Sequence, residues 1–221
     1  MTPFPVTRRA LLRALAAAGL AGLFGRTRAA GANPAVPGLR RLRGEVTVNG
    51  LPARQGQLVR PGDAVATGPG AEAIYVIGQD AFLQRESSLV RFGVDAAEGF
   101  MRVVTGKLLS VFGRGDKRIA VSTGFIGIRG TACYIEDTTE RTYFCLCYGE
   151  AEVVPAVAPD QRETIRTRHH DHPIYIHADP AMPKSMVPAE VMNHTDAELT
   201  MLEGLVGRVP PFKAEDYKPI S

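Results

Sequence analysis

The chain has 221 residues, 45% of them hydrophobic and 22% charged, and this composition excludes both a disordered chain and a collagen-like one. Its net charge of +3 conceals an asymmetry: all five charges in residues 1–32 are arginines, and without them 21 basic residues face 23 acidic ones, a net −2. A nucleic-acid-binding domain keeps its basic excess in the folded part, so no nucleic-acid partner is expected.

The N-terminus carries Arg8-Arg9-Ala10-Leu11-Leu12-Arg13, then an uncharged run of Ala, Leu, Gly and Phe from Ala14 to Phe24. A basic head, a short apolar stretch and a small-residue exit make a three-part export signal. The arginine pair, the weak hydrophobicity and Arg26 and Arg28 behind the run resemble a bacterial twin-arginine signal. Ala30-Gly31-Ala32 places cleavage after Ala32 and the mature protein in the periplasm, with no membrane span after cleavage, because no apolar run approaches ~18–20 residues. That export route carries folded proteins, often with a cofactor already inserted. Residues 33–43, rich in proline and arginine, read as a linker.

From Gly44 to about Pro155 the chain reads as short strands and nothing else. Expected segments are 44–48, 63–67, 72–77, 81–84, 88–92, 100–105, 107–112, 118–122, 126–129, 131–136, 142–148 and 150–154. Asn49-Gly50, Pro61-Gly62-Asp63, Gly68-Pro69-Gly70, Gly78, Gly93, Gly106, Gly113 to Gly115 and Gly149 punctuate them. Runs such as Ile74-Tyr75-Val76-Ile77 are β-branched or aromatic and too short for core helices. The fold class is all-β, and the pattern leaves sandwich, barrel and solenoid open.

A family resemblance narrows this. Gly44-Glu-Val-Thr-Val-Asn-Gly50, Pro61-Gly-Asp-Ala-Val-Ala-Thr-Gly68, Ala120-Val-Ser-Thr123 leading to Ile128-Arg-Gly-Thr131, and a strand ending at Gly149 resemble the FecR domain. The resemblance implies a solenoid-like β sandwich outside the cytoplasm, over residues 44–155, binding an envelope protein or a small ligand. Iron-citrate regulators of that family also carry a cytoplasmic anti-sigma segment and a membrane span. Neither is read here, so the sigma-factor role is not carried over.

Cys133 lies in one expected strand and Cys145 and Cys147 in the next, joined by the polar turn Asp137–Arg141. A five-residue loop sets Cys133 opposite Cys145, and all three thiols then share one face. A four-residue loop shifts the pairing by one and sends Cys133 to the other face. A Cys133–Cys145 disulfide, a thiolate site for zinc or copper, and three buried small hydrophobes all remain open. Downstream, Arg168-His-His-Asp-His172 and His177 gather four of the five histidines within nine positions. His169 or His170 could complete a metal site with Cys133, Cys145 and Cys147, with Asp171 orienting an imidazole. A solvated polar loop is the plainer reading of that segment. No catalytic motif stands out. A non-enzymatic binding or signalling module is expected, with a metal-dependent redox or hydrolytic enzyme as the alternative.

Residues 156–221 form an extension outside the resemblance. Thr195-Asp-Ala-Glu198 is a capping box, and Leu199, Leu202, Val206 and Val209 follow at helical spacing until Pro210-Pro211, predicting a helix over 196–209 that packs on the β domain. Asn193-His194-Thr195 matches a glycosylation sequon that has no relevance to a bacterial exported protein.

Overall fold

Three strands are long enough to bend, and the bends decide the architecture. The computed structural model describes residues 35–93 and 99–213; the expected export signal and cleavage site lie outside them. In chain order the strands are β1 (Gly38–Arg43), β2 (Val46–Val48), β3 (Leu51–Pro52), β4 (Ala64–Thr67), β5 (Glu72–Ile77), β6 (Asp80–Gln84), β7 (Ser88–Phe92), β8 (Met101–Val111), β9 (Asp116–Val121), β10 (Gly124–Asp137) and β11 (Arg141–Pro155). After a 3₁₀ turn (Pro159–Gln161) come β12 (Glu163–Thr167), β13 (Ile174–His177), β14 (Met186–Pro188) and the helix α1 (Asp196–Leu205).

The expected breaks at Gly106 and Gly149, and the gap at Gly130, are bends inside β8, β11 and β10 rather than strand ends. All three glycines have positive φ, at 93°, 100° and 54°, a region that costs other residues energy. Each bend lets one strand serve two layers. The first half of β8 pairs β7, and its second half pairs β6 and β10. The first half of β10 pairs β9; the first half of β11 pairs β13, and its second half pairs β12. One layer therefore runs β1-β5-β6-β8-β10-β11-β13-β14, the other β3-β2-β4-β7-β8-β9-β10-β11-β12, as a single open hydrogen-bonded network folded on itself. This is the expected all-β class, in an open arrangement rather than a closed barrel.

Burial distinguishes the two layers. The second alternates buried and partly or fully exposed residues, as in β4 and β7, because one face meets water. The first is apolar on both faces: every residue of β6 is buried, and so is the stretch from Thr142 to Tyr148 on β11. Its inner face joins the core with Tyr75, Phe82, Leu108, Ile135, Phe144 and Leu146. Its outer face carries Ile74, Leu83, Leu109, Tyr134, Tyr143 and Cys145, and Leu199 and Leu202 of α1 cover it. Gln84 ties the layers together inside: it accepts from Tyr75 Oη at 2.9 Å and donates to the Val65 and Ser88 carbonyls at 3.0 Å each.

The segments that carry the family resemblance touch one another. Asn49 and Gly50 form the two-residue turn between β2 and β3, both at positive φ. The Asn49 amide donates to Asp63 at 2.7 Å, and Asp63 accepts from the Arg60 backbone at 2.8 Å.

Three expectations need correction. Residues 38–43 are not linker: they form β1 on the edge of β5, with Leu39 fully buried. The sheet does not stop at 155, because β12, β13 and β14 pair into it. The capping box of α1 is present in both directions, but the helix ends at Leu205. Gly207, at φ 70°, closes it before the two prolines, and Val209 is 84% exposed instead of extending the apolar stripe.

Gly106→Ala tests the bend in β8. A Cβ there would fall 2.5 Å from Ser88 Cα on positive-φ backbone, whereas one at Gly50 would meet nothing within 4 Å. Urea unfolding should show a loss of roughly 1 kcal/mol for Gly50→Ala, from φ alone, and of more than about 2 kcal/mol for Gly106→Ala. Equal losses would mean that the close approach of β7 to β8 is not a constraint.

Candidate metal centre

The hairpin between β10 and β11 settles the parity of the thiols. Asp137 pairs with Thr142, so the loop has four residues, and Cys133 pairs with Leu146 rather than Cys145. Cys133 consequently faces the inner core, beside Ile135 and Phe144, while Cys145 and Cys147 face the outer side with Tyr134 and Tyr143. The single three-thiol patch does not form, and all three cysteines are free thiols, so the Cys133–Cys145 disulfide does not form either. Burial pushes the Cys133 thiol well above its ordinary range, and the neighbouring Cys145 adds to this.

Two imidazoles descend on Cys145 and Cys147 from different parts of the chain. After β12, Thr167 and Asp171 close a tight turn: Thr167 Oγ1 donates to Asp171 at 2.7 Å and accepts from the Asp171 backbone at 2.9 Å. This turn holds His170 at φ 53°, and its amide donates to the Cys147 carbonyl at 3.0 Å. His170 Nδ1 then lies 3.4 Å from Cys145 Sγ. The second imidazole belongs to His194, directly before the Thr195 cap of α1. It stacks on Tyr134 with centroids 4.7 Å apart, and its Nε2 lies 3.1 Å from His170 Nδ1.

One donor atom from each of Cys145, Cys147, His170 and His194 falls within 4.8 Å of all the others. A tetrahedral zinc ion with Zn–N and Zn–S bonds near 2.0 and 2.3 Å sets nitrogens about 3.3 Å apart and nitrogen and sulfur about 3.5 Å apart. The observed 3.1 and 3.4 Å lie close to that geometry. Both imidazoles also have their remote nitrogens engaged. His194 Nδ1 is 2.7 Å from the Met192 carbonyl, which makes it a donor and leaves Nε2 as the ligating atom. His170 Nε2 is 3.2 Å from Asp196 Oδ1. Such outer partners fix tautomer and ring orientation in metal sites.

Electrostatics separate the two thiols. A hydrogen bond from Cys147 holds Cys145 well below the ordinary thiol range, and His170 and His194 reinforce it against burial. Cys147 is pushed well up, by burial first and then by Cys145. Burial alone would lower His170, but Cys145 and Asp196 outweigh it and raise the imidazole. Cys145 is thus the more readily ionised sulfur.

His169 stands beside this set, not in it. Its Nε2 contacts both Asp196 oxygens, at 2.9 and 3.0 Å, and its ring packs on Phe212. His169 also lines a cleft of about 870 Å³ with Arg114, Arg208 and Phe212. Asp171, expected to orient an imidazole, instead builds the turn, and hydrogen bonding from Thr167 holds its carboxyl below the usual range. His172 pairs with Glu163 at 3.2 Å. Sequence reasoning missed His194 and Asp196. The sole signal was a fifth histidine next to a helix cap, and that stretch reads equally as a helix start.

Cys145, His170 and Asp196 follow one another as nucleophile, base and orienting acid do. Cys145 and Cys147, however, are both 0% exposed, on the face that Leu199 and Leu202 of α1 cover.

No family model matches the sequence, and no curated protein matches it. Two crystal structures of a proposed anti-sigma factor from Parabacteroides distasonis ATCC 8503 are similar in backbone trace. One, at 1.65 Å resolution, has 9% identity and a TM-score of 0.48, covering 64% of this chain and 65% of that one. The other, at 2.50 Å, has 8% identity and a TM-score of 0.45, covering 57% and 58%.

Thiol labelling tests the burial. With all three cysteines 0% exposed, a thiol reagent such as DTNB should label none within minutes in native protein supplied with Zn²⁺, and three in guanidinium with a chelator. Rapid native labelling of one thiol would contradict the closed centre.

Proposed function

We propose that the chain is an exported, non-enzymatic binding or signalling module, FecR-like in its sheet, that carries a closed metal centre formed by Cys145, Cys147, His170 and His194. The observation that carries this reading is the convergence of two thiols and two imidazoles within 4.8 Å, with each imidazole oriented by a second partner. Two sulfurs and two nitrogens in tetrahedral reach suit Zn²⁺ or Cu⁺. Four protein donors leave no coordination position for a substrate, which favours binding over turnover.

Two further features support the module's setting. The contact between Asn49 and Asp63 joins the first two of the resemblance-bearing segments. Arg8-Arg9 and the Ala30-Gly31-Ala32 exit support twin-arginine export to the periplasm, with metal loaded among reduced thiols before translocation. Among the described residues no helix is long and apolar enough to cross a membrane. The partner is an envelope protein or a small ligand.

Native mass spectrometry with Zn²⁺ and with Cu⁺, before and after a chelator, tests the centre. One equivalent is expected. Cys145→Ser, Cys147→Ser, His170→Ala and His194→Ala should each weaken binding by more than the ~10–100-fold expected for Asp196→Asn, which removes only an orienting partner. Cys133→Ser should leave binding unchanged; its loss there would return Cys133 to the centre and overturn this ligand set. Replacing Arg8 and Arg9 by lysine should abolish mature protein in the periplasmic fraction. Undiminished periplasmic protein would refute the export route.

A further inference from the structure

The metal centre joins three parts of the chain that lie far apart in sequence. Cys145 and Cys147 stand on β11, in the middle of the folded sheet. His170 stands on the turn after β12, and His194 belongs to the C-terminal segment 189–212 that covers the outer face. The direct links from His194 to the other donors are a hydrogen bond to His170 and its interaction with Cys145. A metal ion would replace them with bonds that close this long loop onto the sheet.

The remaining attachments of the segment are apolar packing, hydrogen bonds from two tyrosines of β11 (Tyr143 Oη to the Glu190 carbonyl at 2.9 Å and Tyr148 Oη to Glu203), and polar contacts at the rim. Leu199 and Leu202 are fully buried against the outer face, near Leu83 and Leu109. Around them lie polar contacts at the rim: Arg85 to Glu198 at 2.8 Å with both side chains about a quarter exposed, Asn193 to Glu136 at 2.7 Å, and Arg208 to the Gln79 carbonyl at 2.6 Å. Rim contacts of this kind contribute little each. The helix α1 has ten residues, too few to persist in water once undocked.

We infer that the metal is a latch: its binding at Cys145, Cys147, His170 and His194 holds residues 189–212 down on the sheet, and its loss frees them and uncovers the apolar face around Leu83, Leu109 and Tyr134. The inference rests on the metal-binding reading above and adds how occupancy becomes a change of surface. A ligand that binds only the docked arrangement stabilises that arrangement, and weakening the docking must weaken the ligand by the same factor. The His170 turn follows in part, because its amide remains bonded to the Cys147 carbonyl.

Hydrogen exchange on the full chain tests this, comparing protein holding one equivalent of Zn²⁺ with the same protein under chelator. Amides of α1 should exchange about tenfold more slowly with Zn²⁺, while β2, β4 and β7 in the other layer remain unchanged. Leu199→Ala, which removes no donor, should speed exchange in α1 and weaken Zn²⁺ binding by a matching factor. Should that variant fold poorly, Arg85→Gln, which cuts the rim pair with Glu198 and the bond to the Asn193 carbonyl but removes no donor, should move both readouts in the same direction by less. Zn²⁺ bound at one equivalent with α1 exchange unchanged, or slowed equally in every strand, overturns the latch and leaves the metal site standing. Failure to bind either Zn²⁺ or Cu⁺ overturns both.

Discussion

A sheet layer that is apolar on both faces cannot stand in water, and the structure follows from that constraint. β5, β6 and the adjoining halves of β8, β10 and β11 present hydrophobic side chains inward and outward alike. The inner face is covered by folding the sheet over, with glycine bends in three strands. The outer face needs a separate cover, and the chain supplies it from its own C-terminal end. Docking of that cover brings His194 over Cys145 and Cys147. The same side of β11 that must be shielded from water is the side that gathers the donors.

Burial then sets the chemistry. Two thiols in an apolar layer are poor acids, as Cys133 and Cys147 show. Cys145 escapes this because Cys147, His170 and His194 stabilise its anion in place of water. Cys145, fully buried, and His170, largely so, are donors that a bound cation would engage directly once their protons leave. Asp196, which touches both His169 and His170, reaches them from the first turn of α1. It is well placed there also for the helix, since an acidic residue at the N-terminus meets the positive end of the helix dipole.

The strand content was legible in the sequence because short β-branched and aromatic runs permit little else. Their lengths were not. A glycine such as Gly106 or Gly149 looks the same whether it ends a strand or bends one, and only the partner strands distinguish the two. The thiol parity turned on one residue of loop length, since a side chain's face reverses with each step along a strand. The capping box of α1 was readable because it is local, with Thr195 and Glu198 three positions apart. The company of His194 was not readable, because its neighbours Tyr134 and His170 lie far away in the chain. His169 and His170 were equal candidates by sequence, and the positive φ of His170 separated them.

The bent strands carry one more implication, for how the molecule comes apart. β8, β10 and β11 each run through both layers, so neither layer has a backbone of its own. Pulling one layer away would require tearing three strands at their middles, leaving half of each with unpaired amides and carbonyls. No cut in the chain yields one layer as an autonomous fragment. The body of the protein should melt as one cooperative unit, and the segment beyond β14 is the part that can open without it.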